Sequence, residues 1–285
     1  MRLNQKDDIG AVIGRWIVRV ILITWTLTIL FPLIWVIYTS FKNNAEFYAD
    51  VWELPKVLRF ENYEYAWNTA KFSSYFSNSL VTVLLTLVFT MIMTSTTAYI
   101  LAKFRYRWLR IVSRFYIVVM AIPGVLVLVP QYFMFLNMKL TNNLLALSLL
   151  YAVRSVPFAV FIMTGFMKTI NDSLLEAAEI DGASEFSKFF NIVIPCVKPA
   201  LFVTILNNVL GTWNEYILAL TFLSDEDKYT VPIGLSQLQN TSTYRVEYGG
   251  LFAGLVIAII PILIVYACFQ KQLQEGVKVQ GGVKG

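Results

Sequence analysis

Apolar residues in this chain arrive in long unbroken blocks. Four stretches contain no Asp, Glu, Lys or Arg: Val20–Phe41, Phe72–Ala102, Phe115–Met138 and Tyr248–Gln270. Two more carry one charge each, Arg154 within Leu140–Met167 and Glu215 within Pro199–Ser224. About 20 apolar residues in a helix cover the hydrocarbon core of a bilayer, and each block is long enough. The pattern predicts an all-α integral membrane protein, one transmembrane domain over 1–285, with spans near 17–40, 76–102, 113–137, 143–167, 199–223 and 249–270. A water-soluble chain of this size has too little interior to bury six such helices. The first block follows Arg2, Lys6, Arg15 and Arg19, as a signal peptide would. It is too long for an h-region and closes on Tyr38-Thr39-Ser40-Phe41 without a small-x-small cleavage pattern, so it reads as the first span.

Composition agrees. The chain is 57% hydrophobic and 14% charged, with a mean hydropathy of +0.62, whereas soluble domains carry roughly 25% charge. The net charge of +5 is explained by where the cations fall. Fifteen of the 23 Lys and Arg lie in the N-terminal tail and in the segments after spans two, four and six. Seven lie in the alternate segments, and Arg154 is inside a span. The positive-inside bias therefore predicts both termini in the cytoplasm. Attraction of about 1 kcal/mol per juxtamembrane cation to an anionic leaflet accounts for the basic balance, with no nucleic acid partner needed. Histidine is absent, which removes the commonest general base and metal ligand. Cys196 and Cys268 lack the spacing of a zinc or redox pair. No catalytic residue and no metal site are predicted. No G-x-x-x-x-G-K-[ST] loop occurs, so the chain has no P-loop nucleotide site of its own.

Three connections are long. Two, near 42–71 and 225–247, fall on the outer side, and the third, 168–198, is cytoplasmic. In the third, Ser173 and Glu176 have the spacing of a capping box. A short helix then runs to Asp181, and Gly182 stands where a helix ends with positive φ. Ser184 can cap a second helix whose apolar residues Phe186, Phe189, Phe190, Val193 and Val197 share a face. Pro195 ends or kinks it, and Pro199 suits the first turn of span five. Taken by itself the segment reads equally well as an interfacial amphipathic hairpin.

Polar residues also enter the spans. In span five Asn207, Gly211 and Asn214 recur at helical spacing, as do Asn208, Thr212 and Glu215, so on one straight helix all six share a face about 100° wide. Such a stripe is either the wall of a translocation path or a set of helix–helix hydrogen bonds. Arg154 in span four faces a water-filled cavity or pairs with Glu215. Pro123, Pro130, Pro157 and Pro261 are expected to kink spans three, four and six.

The spacing Glu176-Ala177-Ala178, three residues, Gly182, nine residues, Ile192-Val193-Ile194-Pro195 resembles the EAA loop of permease subunits of binding-protein-dependent ABC importers, EAA-x3-G-x9-I-x-L-P, with Ile194 in place of leucine. Four further features are similar to the maltose-type second permease of the carbohydrate branch. They are Ile122-Pro123-Gly124 with Pro130, Trp213-Asn214-Glu215-Tyr216, Thr230-Val231-Pro232-Ile233-Gly234-Leu235, and the terminal Gly282-Val283-Lys284-Gly285. The resemblance implies a type I ABC importer transmembrane domain with six spans in a bacterial or archaeal cytoplasmic membrane, forming half of the path for a sugar or oligosaccharide. It implies coupling to ATPases through Glu176, Ala177, Ala178, Glu179, Asp181, Gly182, Ile192 and Pro195. The implied partners are a second homologous permease, two ATPase subunits that carry ATP and Mg, and an extracytoplasmic sugar-binding protein. This chain would bind no cofactor and hydrolyse nothing. The loop Thr230–Tyr248 would meet the binding protein, and the tail Gln274–Gly285, within 271–285, the ATPases. The rival reading is an ion-coupled secondary transporter using Glu215 and Arg154, which leaves the 176–195 spacing to chance.

Overall fold

The computed structural model describes residues 9–240 and 247–281, with side chains over 13–239 and 247–270. Every regular element among the described residues is helical. The chain divides into two compact units, residues 1–70 with 238–257, and residues 71–237 with 258–285.

In the first unit, α1 (Ile9–Thr39) is followed by the short helices α2 (Asn44–Ala49) and α3 (Glu61–Glu64). The apolar side chains of α1 from Ile13 to Leu30 are exposed throughout, as lipid-facing or partner-facing residues must be. Its C-terminal end is tied down by polar tips of otherwise apolar side chains. The Trp35 indole N–H donates to the Val51 carbonyl at 3.0 Å, and the Tyr38 hydroxyl to that of Trp52 at 3.1 Å. Lys42 is buried and donates to the Asp50 and Val51 carbonyls at 2.9 and 3.2 Å, so the loop backbone solvates its charge.

The second unit is built on two long helices, α4 (Phe72–Lys103) and α7 (Leu144–Met167), which make the most extensive helix contact in the chain. The face of α4 turned inward carries Ser79, Thr82, Thr86, Thr90 and Thr94, all buried and one helical turn apart. The facing helix contributes Ala152 and Ala159. Small side chains let the two backbones approach where no hydrophobic effect drives helices together in lipid. Between them in sequence lie α5 (Arg107–Met120), a 3-10 turn Gly124–Val127 and α6 (Leu128–Asn137). The expected third span, 113–137, is thus two helices bent by 96°. Pro123 supplies no N–H and Gly124 begins the 3-10 turn, so the α-helix ends at Met120. Pro130 sits in the first turn of α6, where its missing N–H costs no bond, and produces no kink. The helices α7 and α14 (Tyr248–Gly281), expected to kink at Pro157 and Pro261, each continue as one helix through those prolines.

After α7 come α8 (Asp172–Ile180), α9 (Glu185–Lys188), a π-helical turn Phe189–Val193, α10 (Ile194–Cys196) and α11 (Lys198–Trp213). The π turn widens the helix ahead of Pro195, whose ring would meet the Asn191 carbonyl of a regular α-turn. The chain then bends by 77° before α11, whose first turn holds Pro199. The expected fifth span, 199–223, is also broken: α11 ends at Trp213 and α12 (Ile217–Phe222) starts after Tyr216. α13 (Val231–Asn240) and α14 (Tyr248–Gly281) complete the order. Among the described residues four helices (α1, α4, α7 and α14) are long and apolar enough to cross a membrane, and up to six spans result if each bent pair counts as one.

Candidate functional site

The 168–198 segment folds as a corner. α8 begins on Asn171, whose side chain accepts from the Ser173 N–H at 3.1 Å. The expected cap was Ser173. Asn171 takes the role because its carboxamide stands one position before Asp172, which already lies in the first helical turn and adds a favourable charge there. At the other end Gly182 has φ of +81°. The Gly182 N–H donates to the Glu179 carbonyl at 3.0 Å and the Ala183 N–H to that of Ala178 at 2.9 Å. This pair of bonds is the Schellman ending, which needs a left-handed residue at Gly182. Ser184 then caps α9 by accepting from the Ser187 N–H at 3.2 Å, as its position predicts.

The corner has an inner and an outer side. Leu175, Phe189, Val193 and Val197 are buried against Tyr99, Met163 and Met167, with Ile192 half-buried at the same core. Phe186 and Phe190 belong to the expected apolar face but remain exposed, packed on each other with ring centroids 4.8 Å apart. On the outer side Glu176, Ala177, Ile180, Asp181 and Gly182 are exposed, with Ile180 at 88%. Ala178 is half-buried and Pro195 exposed.

Charged groups fasten this corner to the end of α4. Lys188 is buried at 4% exposure, and its Nζ bonds both Glu179 Oε2, at 3.0 Å, and Glu185. Those two acceptors hold the ammonium above its ordinary range. Glu185 in turn accepts from the Tyr99 hydroxyl of α4 at 2.8 Å, and the bonds from Lys188 and Tyr99 pull its carboxyl below the ordinary range. A second tie lies at the entry to α8. Lys103 Nζ, in the last turn of α4, donates to the Ile170 carbonyl at 2.6 Å and to Asp172 at 2.8 Å. The hydrogen bond and charge of Lys103 lower the Asp172 carboxyl. Tyr99, Lys103 and Lys188 were not singled out from the sequence. The available signal was the i, i+3 pair of Glu185 and Lys188, but only the fold brings α4 to it.

The polar stripe of span five separates into two rows. Asn207, Gly211 and Asn214 are exposed, while Asn208 is buried and Thr212 and Glu215 are half-buried. Asn208 is buried and donates to Thr90 Oγ1 of α4 at 3.1 Å. Asn214 and Glu215 are not on α11 at all, since the helix has ended. Glu215 caps α12, its carboxylate accepting from the N–H groups of Leu218 and Ala219 at 2.8 and 3.0 Å and from the Tyr151 hydroxyl at 2.7 Å. The expected pairing with Arg154 does not form. Among the described residues no carboxylate forms an ion pair with Arg154. Its guanidinium lies over Gly124, where any Cβ would collide with it.

The segment that follows α12 is fixed by close approach. The Val231 N–H donates to Ser79 Oγ at 2.8 Å, and Gly234 lies so near the Tyr75 ring that a Cβ there would overlap it. Of the expected contact Thr230–Tyr248, positions 241–246 lie outside the described residues, as do the side chains of the tail 274–285 and the terminal motif 282–285.

Residues 94–279 match the family model described as binding-protein-dependent transport system inner membrane component. The chain is 32% identical over 257 residues to the diacetylchitobiose uptake system permease protein of Streptomyces coelicolor, covering 90% of this chain and 85% of that protein. It is 33% identical over 264 residues to the arabinooligosaccharides transport system permease protein of Bacillus subtilis, covering 91% and 92%. Its fold is similar to a crystal structure of a bacterial ABC transporter involved in import of the acidic polysaccharide alginate, with a TM-score of 0.83 at 23% identity over 93% of this chain and 98% of that one.

Proposed function

The chain belongs to the family of binding-protein-dependent transport system inner membrane components, and on that footing we propose that it forms one half of the membrane channel of a saccharide importer. A second, homologous permease supplies the other half. An extracytoplasmic binding protein delivers a sugar or oligosaccharide, and two separate ATPase subunits, holding ATP and Mg, supply the work. Both termini and the 168–198 corner lie in the cytoplasm, with α5–α6 and α11–α12 each taken as one broken span.

One observation carries this reading. The corner at Gly182 presents an exposed ridge of Glu176, Ala177, Ile180 and Asp181 on one side, and on the other is bonded to α4 by Tyr99 to Glu185 and by Lys103 to Ile170 and Asp172, with Lys188 tying Glu179 to Glu185 inside the corner. Ala177 and Ala178 are small enough for close contact with a groove, and Glu176, Glu179 and Asp181 offer acceptors to a basic partner. Ile192 and Pro195 shape the return from the corner into α11. A ridge that seats on a moving ATPase thereby pulls a transmembrane helix. The exposed row of Asn207, Gly211 and Asn214 supplies amides for sugar hydroxyls along the path, and Asn208, Thr212 and Glu215 support that wall from behind. The ion-coupled alternative loses its main residue, because Glu215 spends its carboxylate on two backbone N–H groups and Tyr151.

Transport by the reconstituted importer in vesicles tests the energy source. Uptake is expected to persist with a protonophore and to stop without ATP, and the reverse result overturns the proposal. A crosslinker at Ala177 should capture the ATPase subunit in native membranes.

A further inference from the structure

A basic groove of about 480 Å³ lies where α4 ends, α5 begins and α7 ends. Arg110 and Arg114 stand one helical turn apart on α5, and Lys168 follows the last residue of α7. Among the described residues none of these three cations is paired with a carboxylate. Asp172, the first acid of the following loop, is already taken by Lys103 and Arg105. Tyr106 and Trp108, beside the groove in sequence, are exposed aromatics at a helix end, the placement favoured at a membrane–water boundary.

The groove does not end at the surface. It shares Leu101, Ser113 and Lys168 with a crevice of about 170 Å³ that continues between α5 and α7, past Ile117 and Phe161. Residue 117 is about 6 Å further along α5 than residue 113. The crevice stays open because Gly165 has no side chain and nothing fills the position of its Cβ. Thr164, only 7% exposed, lines it, and its buried hydroxyl has no hydrogen-bond partner among the described residues. A buried hydroxyl without a partner is costly unless a ligand supplies an acceptor.

We propose that this groove and crevice form a binding site for one anionic phospholipid, its phosphodiester held by Arg110, Arg114 and Lys168 and one acyl chain laid between α5 and α7. Three cations without acids match a phosphate, and basic pockets at helix ends are suited to such headgroups. The Thr164 hydroxyl lies deeper than the cations, where it donates to the ester carbonyl at the top of an acyl chain. A soluble anion has no use for the apolar crevice, and a purely apolar occupant leaves the cations and the hydroxyl unsatisfied. The bound lipid would brace α5 against α7 beside the segment that leads into the 168–198 corner.

The test measures lipid retained by the delipidated, purified full-length chain in detergent, by native mass spectrometry with phosphatidylglycerol or phosphatidylcholine added. One tightly held phosphatidylglycerol is expected, in clear preference to phosphatidylcholine. The triple variant Arg110→Gln, Arg114→Gln, Lys168→Gln should lose on the order of a hundredfold in affinity for phosphatidylglycerol, from about 1 kcal/mol per cation. Gly165→Phe should weaken the same lipid with every cation intact, which a diffuse basic surface would not allow. Inorganic phosphate at matched ionic strength should fail to displace the lipid. Equal retention of the two lipids, an unchanged Gly165→Phe variant, or displacement by phosphate would each overturn the site. If the triple variant does not fold, Arg114→Gln alone, with an expected loss of about fivefold, decides the same question.

Discussion

Lys188 and Glu179 meet at 3.0 Å across the corner that Gly182 makes, joining the helix before the turn to the helix after it. The ammonium is buried while the carboxylate is largely exposed, so the pair is anchored on the lysine side. That asymmetry matters for coupling. The exposed ridge of α8 is held from beneath by a group whose other partner, Glu185, is bonded to Tyr99 of a membrane-crossing helix.

The corner depends on backbone geometry rather than on space. No atom lies within 4 Å of a Cβ built on Gly182, but its φ of +81° is unfavourable for any L side chain. Gly182→Val should therefore cost about 1–2 kcal/mol locally and open the corner. Co-purification with the ATPase subunit should fall sharply, with membrane insertion unchanged. Wild-type co-purification with normal transport would count against the coupling role.

Acidity should act on the same cluster. Glu185 titrates below its ordinary 4.5, so its bonds stabilise the corner fully above that value and are lost as pH falls through the lowered one. Lys188 titrates above its ordinary 10.5, so its contribution is complete below that value and is lost as pH rises through the raised one. Coupling, measured as sugar moved per ATP hydrolysed, should be flat between these limits and fail first on the acid side. Lys188→Met should lower that ratio even at neutral pH while ATP hydrolysis continues, and Lys188→Arg should restore part of it.

The two polar rows of span five should respond differently. Asn208→Ala removes the bond to Thr90 within a packed helix pair and should lower stability by about 0.6–2 kcal/mol. Asn207→Ala touches an exposed amide and should leave the thermal midpoint in place while raising the sugar concentration needed for half-maximal transport. Equal thermal shifts for both variants would show that the rows are not distinct.

Glu215 should behave as a cap. Glu215→Ala leaves the Leu218 and Ala219 N–H groups and the Tyr151 hydroxyl without their acceptor, an expected loss of about 1 kcal/mol or more. Tyr151→Phe in the same background should add little, because its partner is already gone. Uptake that remained ATP-driven and insensitive to a protonophore in Glu215→Asp would match this structural role.

Length and continuity of apolar runs were enough to read an all-helical membrane protein from the residues alone, because a bilayer imposes its thickness on any chain that crosses it. The left-handed residue at Gly182 and the cap at Ser184 were legible for a similar reason: both are local, and only a few residue types satisfy such backbone positions. The breaks in spans three and five were not legible. Pro123 can kink a helix or end it, and Glu215 can ride a helix or cap the next one, so the choice depends on Arg154 reaching Gly124 and Tyr151 reaching Glu215 from another helix. The same holds for the grip of Tyr99, Lys103 and Lys188 on the corner. Those partners lie between 67 and 86 residues apart in the bonds that join α4 to the loop, and a charge in sequence carries no record of which distant group will neutralise it. Periodicity and propensity describe what one segment needs; only packing decides which neighbour supplies it.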